Sequence, residues 1–202
     1  MKKLWVLLLM LGVLVSVCAG CGGTKDTVQN DQQEEQTQTP DTPDPKKERL
    51  TDFPDLHSFA AQTADGASFG PTDLAQADLT VINMWATFCG PCIAEMPELA
   101  ALEKALPENV RFITFCLDAE TEQNAMESIL NDAGFTGVTL VSGSGDLEKL
   151  MMQTMYVPTT VFVDDQGNMV RQELIGSPEN VAETYGAAIN EALTNMGKEP
   201  LS

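Results

Sequence analysis

The chain has 202 residues, 43% of them apolar, with 30 acidic against 11 basic side chains and a formal net charge of −19. A nucleic-acid binder needs a basic face to neutralise phosphates, so this charge balance excludes nucleic acid as a partner. Five cysteines, two near the amino terminus and two only three positions apart, are too few and too bunched for a disulfide-stapled miniature protein, and they point to chemistry instead.

Lys2 and Lys3 precede an apolar run from Leu4 to Val17 that then meets small residues, the layout of a secretory signal over residues 1–20. The run falls short of the ~20 residues that a spanning helix needs. Val17-Cys18-Ala19-Gly20-Cys21 resembles a bacterial lipobox, in which the cysteine after the cleavage site carries the lipid. By that resemblance Cys21 is the lipidated first residue of the mature chain, anchored to the bacterial cell membrane outside the cytosol. Cys18 departs from the aliphatic residue usual at its position. Residues 21–50 are polar, Gln-rich and acidic, with Pro40, Pro43 and Pro45 and only Val28 and Leu50 as aliphatics, so they read as a disordered tether with a root-mean-square span of about 30 Å.

Residues 51–202 are long enough for a single domain that buries roughly two thirds of its unfolded surface. They carry 23 acidic against 5 basic side chains, a charge of −18, so the charge belongs to the domain and not to the tether. Leu79 to Trp85 reads as a buried strand, and Cys92 to Leu106 places Ile93, Met96, Leu99, Leu102 and Leu106 at helical spacing. A strand from Val110 to Leu117 follows, then a helix from about Glu122 to Ala133, a strand at Gly137 to Val141 and a small helix near Leu147 to Met152. Thr159 to Asp164 and Met169 to Ile175 flank Asp165-Gln166-Gly167-Asn168 and predict a hairpin. A last helix opens after Ser177 with Pro178 at its first position. Strand and helix alternation closed by a hairpin and a helix implies an α/β fold, with a central mixed sheet flanked by helices.

The chemistry lies in Trp85-Ala86-Thr87-Phe88-Cys89-Gly90-Pro91-Cys92, between the first strong strand and its helix. At a helix amino end, unpaired N–H groups and the macrodipole favour negative charge and lower a cysteine pKa. Cys89 is therefore the candidate nucleophile. Cys92, inside the first turn, is placed to attack a mixed disulfide on Cys89 and release the reduced substrate. No Lys or Arg occurs from Thr51 through Glu103, so the helix end must supply most of the stabilisation. Two other uses of close cysteines compete with redox exchange. Zinc wants four ligands, and outside the leader only Cys116 and the single His57 remain, so no metal site is expected. A purely structural bridge across so short a loop closes little chain entropy.

The same octapeptide, followed by Glu95-Met96-Pro97, resembles the thioredoxin-like TlpA/ResA family of membrane-tethered thiol-disulfide oxidoreductases. Val157-Pro158-Thr159-Thr160-Val161-Phe162 is similar to that family's segment in which a cis-proline faces the active-site cysteines, and Asp65-Gly66 resembles the turn of its amino-terminal hairpin. The resemblance implies a thioredoxin-like fold with a hairpin extension and no cofactor. It also implies a cis Pro158 that presents the Val157 backbone to an extended substrate, and a helix kinked at Pro97. Phe88 stands where the family usually has Trp, and keeps an apolar contact surface without the indole donor.

Asn83 stands where cytosolic thioredoxins place a buried aspartate beneath the cysteines. ResA-like relatives use an acid near the end of the neighbouring strand, so the resemblance makes Asp118 and Glu120, which follow that strand here, the candidate acceptors of the Cys92 proton, against the reading of solvated loop acids. Cys116 reads as a buried small hydrophobe, His57 as a surface residue and Glu95 as a helix-surface or salt-bridging acid.

The function implied is reduction of disulfides in exported proteins, with electrons from a membrane thiol transporter. The alternatives are a disulfide-forming oxidase and a thioredoxin-fold copper chaperone. The chaperone needs a wider CxxxC pair and a downstream histidine, and none follows His57.

Overall fold

The computed structural model describes residues 51–201. The leader, Cys21 and the tether lie outside the described residues, and no described helix is long and apolar enough to cross a membrane.

Seven strands form one mixed sheet in the order β2-β1-β5-β4-β3-β6-β7. At its centre β3 (Leu79–Trp85) runs parallel to β4 (Val110–Cys116) and antiparallel to β6 (Thr159–Asp164). β5 (Thr139–Gly145) pairs in parallel with β4, and beyond it the hairpin of β1 (Phe59–Thr63) and β2 (Ser68–Phe69) forms one edge. Gly66, at φ 84°, supplies the left-handed residue that this hairpin turn requires.

All seven residues of β3 are buried because both faces of the sheet are covered. Alternation then sorts the side chains. Leu79, Val81 and Trp85 belong to one core cluster with α2 (Gly90–Ala105), α3 (Ala119–Ala133) and α5 (Val181–Asn195). Ile82 and Met84 point into the other, with α1 (Pro71–Leu74), α4 (Asp146–Gln153) and the residues leading into β1. Burying each such side chain contributes about 1.5–3 kcal/mol. The period of two also fixes where the polar exception goes: Asn83 falls on the face covered by α2 and α5.

Four boundaries differ by more than two residues from the sequence reading. β5 runs on to Gly145 rather than ending at Val141, because residues 142–145 pair with β1. α3 begins at Ala119 rather than near Glu122, because an initial turn joins the main helix across a non-helical Glu122 (φ −121°, ψ 30°). α5 begins at Val181 rather than at Pro178; the residues after Ile175 lead the chain off the sheet edge before Val181 is buried as the first helical residue. The second hairpin arm is not one strand over 169–175. It contacts β6 by a bridge at Met169 and by the two-residue β7 (Leu174–Ile175). Between them α5 claims the chain: Asn195 Nδ2 donates to Val170 O at 2.9 Å, and Arg171 pairs with Glu191 at 3.0 Å while stacking 4.6 Å from the Phe162 ring centroid. α2 continues through Pro97 as a single helix.

Candidate active site

β3 delivers the chain into the turn Ala86–Cys89, and Cys89 is the residue that caps the amino end of α2. Pro91 occupies the first turn, where its missing N–H costs nothing. Cys89 and Cys92 are joined by a disulfide with Cα atoms 5.3 Å apart. Cys92 N–H points at Cys89 Sγ from 3.2 Å, the arrangement that favours negative charge on this sulfur once the bond is opened. Cys92 is fully buried behind it, and Cys89 keeps only a narrow exposure. A reagent arriving from solvent therefore meets Cys89 first.

Opposite the sulfur lies the loop into β6. The Val157–Pro158 bond is cis, and Val157 O is 3.5 Å from Cys89 Sγ. Phe88, 79% exposed, projects beside the pair.

Asp118 is at the end of β4, next to the turn. Its carboxylate accepts from Thr87 N at 3.0 Å, from Thr87 Oγ1 at 2.6 Å and from Cys116 Sγ at 3.2 Å. Burial acts to raise its pKa, but the Thr87 hydroxyl and amide outweigh it and hold the carboxyl below the usual aspartate value. Asp118 thus fastens the turn that carries Cys89, and no bond joins it to either disulfide sulfur. Glu120 is exposed in the first turn of α3. Cys116 is buried, as expected; burial and the neighbouring Asp118 push its thiol far up and leave it unreactive. His57 is on the surface, 3.1 Å from Asn168 Oδ1.

Glu95 corrects the reading of a surface acid. It is only 2% exposed, because the turn that follows Cys92 faces the sheet and not the solvent. Asn83 Nδ2 lies 3.3 Å from Glu95 Oε1, 3.0 Å from Thr160 Oγ1 and 3.1 Å from Tyr185 OH, and the last two are 2.8 Å from each other. An amide nitrogen has two hydrogens for these three neighbours, and Glu95 Oε2 and Asn83 Oδ1 have no hydrogen-bond partner. Burial raises the Glu95 pKa, opposed by the Ser177 hydroxyl and the Asn83 amide. The same burial, together with the Glu95 charge, raises that of Tyr185. Glu95 follows Cys92 by three residues on α2 and so lies on the same side of the helix, and both are buried. The sequence carried a partial signal, since Glu95 falls between Cys92 and Met96 on the apolar stripe of the helix, but not the partners that cover it.

Comparison with known proteins agrees with this geometry. Residues 46–189 match the Redoxin family. Sporulation thiol-disulfide oxidoreductase A of Bacillus subtilis (strain 168) is 22% identical over 118 residues, spanning 57% of this chain and 70% of that protein. Among solved structures, StoA from Bacillus subtilis aligns with a TM-score of 0.53 at 20% identity, over 65% of this chain and 96% of its own. MTB dsbF, solved in mixed oxidised and reduced forms, aligns with a TM-score of 0.54 at 24% identity, over 71% of this chain and 98% of its own. At those identities the structural likeness establishes the thioredoxin-like fold, and the match over most of the sequence establishes the lineage. The chain belongs to the Redoxin family and is a thioredoxin-like thiol-disulfide oxidoreductase.

Proposed function

We propose that this oxidoreductase is of the TlpA/ResA type, acts outside the cytoplasm on a lipid anchor at Cys21, and reduces disulfides of exported proteins. In this reading the Cys89 thiolate attacks one sulfur of a client disulfide, forming a mixed disulfide and expelling the first client thiolate. Cys92 gives up its proton and attacks Cys89 Sγ. The second client thiolate leaves and the Cys89–Cys92 disulfide closes, so two electrons pass from the domain to the client. A membrane thiol transporter restores the dithiol. Val157 O and Phe88 meet the client backbone and side chains beside Pro158, as in strand addition.

For the proton of Cys92 the geometry favours Glu95 over Asp118 and Glu120. Glu95 is buried one turn from Cys92 on the same side of α2, whereas Asp118 is committed to Thr87 and Glu120 faces water. A buried carboxyl whose pKa is raised by burial holds a proton more readily than a solvated one, which suits it to exchange with a neighbouring thiol.

The observation that carries the reading is the asymmetry of the pair, one sulfur at the helix cap and accessible, the other fully buried behind it. The test is Cys92→Ala, which should trap clients covalently on Cys89 and lose them in the Cys89→Ala, Cys92→Ala double variant. Attachment through Cys116 would overturn the role assignment. Equilibration with glutathione decides direction: a reductase should hold its pair near the ~−270 mV of thioredoxin, an oxidase near ~−120 mV.

A further inference from the structure

Among the described residues six large hydrophobic side chains are exposed: Phe88, Ile93, Met152, Met155, Tyr156 and Ile175. All gather at the reactive end of the sheet. Phe88 and Ile93 flank the cysteines, Tyr156 precedes Val157, and Ile175 pairs with Thr159 beside Pro158. Met152 and Met155 line, with Tyr156, Thr159 and Ile175, a groove of about 570 Å³. Neither the fold nor the exchange chemistry needs two thioethers and a phenol ring held in water there. Clustered exposed apolar groups of this kind mark an interaction surface.

Charge narrows the occupant. Asp52 and Glu173 line the groove and no Lys or Arg does. Glu173 is held in place by Thr51 Oγ1, which donates to its Oε2 at 2.5 Å. A second copy of the domain would bring a further net charge of −18 to this acidic site. We propose that the groove is a client subsite that takes a large apolar side chain flanked by Lys or Arg, on an extended polypeptide segment whose cysteine reaches Cys89. This rests on the reading of the chain as acting on protein disulfides. Tyr156, which lines the groove, directly precedes Val157, whose carbonyl lies 3.5 Å from Cys89 Sγ, so one extended segment can occupy the groove and reach the sulfur. Methionine suits such a role, since its unbranched, polarisable side chain adapts to varied shapes.

The test uses the full chain with Cys21→Ser, labelled at its methionine methyl groups, with Met152→Leu and Met155→Leu to assign the two signals. The probe is a short peptide bearing Phe between two lysines, with serine in place of cysteine, so that binding is independent of any redox step. The Met152 and Met155 methyls should shift saturably, and binding should weaken about tenfold when the peptide Phe becomes Ser or its lysines become Glu. Glu173→Lys should weaken binding of the lysine peptide while favouring the Glu peptide. Unmoved methyls, equal response to all three peptides, or shifts on concentrating the protein alone would each overturn the proposal. Saturable binding by a chain that fails to trap clients through Cys89 would instead refute the exchange reading and leave the subsite standing.

Discussion

Glu95→Gln separates the buried acid from its surroundings at almost no cost in shape. In the native protein burial raises the carboxyl pKa above its ordinary 4.5, so the folded state binds this proton more tightly than the unfolded state. The sign follows from linkage: stability falls as pH rises through 4.5 and stops falling only above the folded-state pKa. Within that window this one group removes up to about 1.4 kcal/mol per pH unit. Glutamine cannot ionise, so the variant should gain on the wild type steadily from about pH 4.5 upward, and the difference curve should plateau. Denaturant unfolding of the oxidised protein across this pH range measures it. The variant should also release client from a preformed Cys89 mixed disulfide about a hundredfold more slowly, the low end of what a lost general base costs. A merely structural glutamate would not move that single-turnover rate. Parallel stability curves together with equal release rates would refute the reasoning.

Asp118→Ala removes three partners from Thr87 and Cys116; because the carboxylate is partly solvated, the cost should be near the low end of the ~1.5–3 kcal/mol range for charged hydrogen bonds. Its pKa is lowered in the fold, so the wild type should lose this contribution as pH drops below 3.8 while the variant has no such contribution to lose, and acid unfolding curves should converge there. Tyr185→Phe takes the hydroxyl from Thr160 and Asn83 and should cost about 1–3 kcal/mol in denaturant unfolding, since buried donors and acceptors are left unpaired. Gly167→Ala should be worse than either: the residue is at φ 88° and its new Cβ would lie 2.3 Å from Leu56 O, so thermal unfolding should show a loss of more than about 2 kcal/mol.

The strand Leu79–Trp85, the helix carrying Cys92 and the redox pair were legible because each rests on local rules: unbroken apolar character for a strand covered on both faces, helical spacing for α2, and a cysteine at a helix cap. What stayed hidden depended on partners distant in sequence. The broken arm after Gly167 could not be read because α5, some twenty residues on, takes the side chain of Arg171 and the carbonyl of Val170. Glu95 looked like a surface acid because helical periodicity places a residue on a stripe without saying what covers it, and here Asn83, Thr160 and Tyr185 converge from three other elements. By itself the sequence determined where the cysteine pair lies, since a cysteine at a helix amino end needs only its own neighbours. Which carboxylate is buried was decided only by tertiary packing, because burial is a property of the assembled layers and not of the residue.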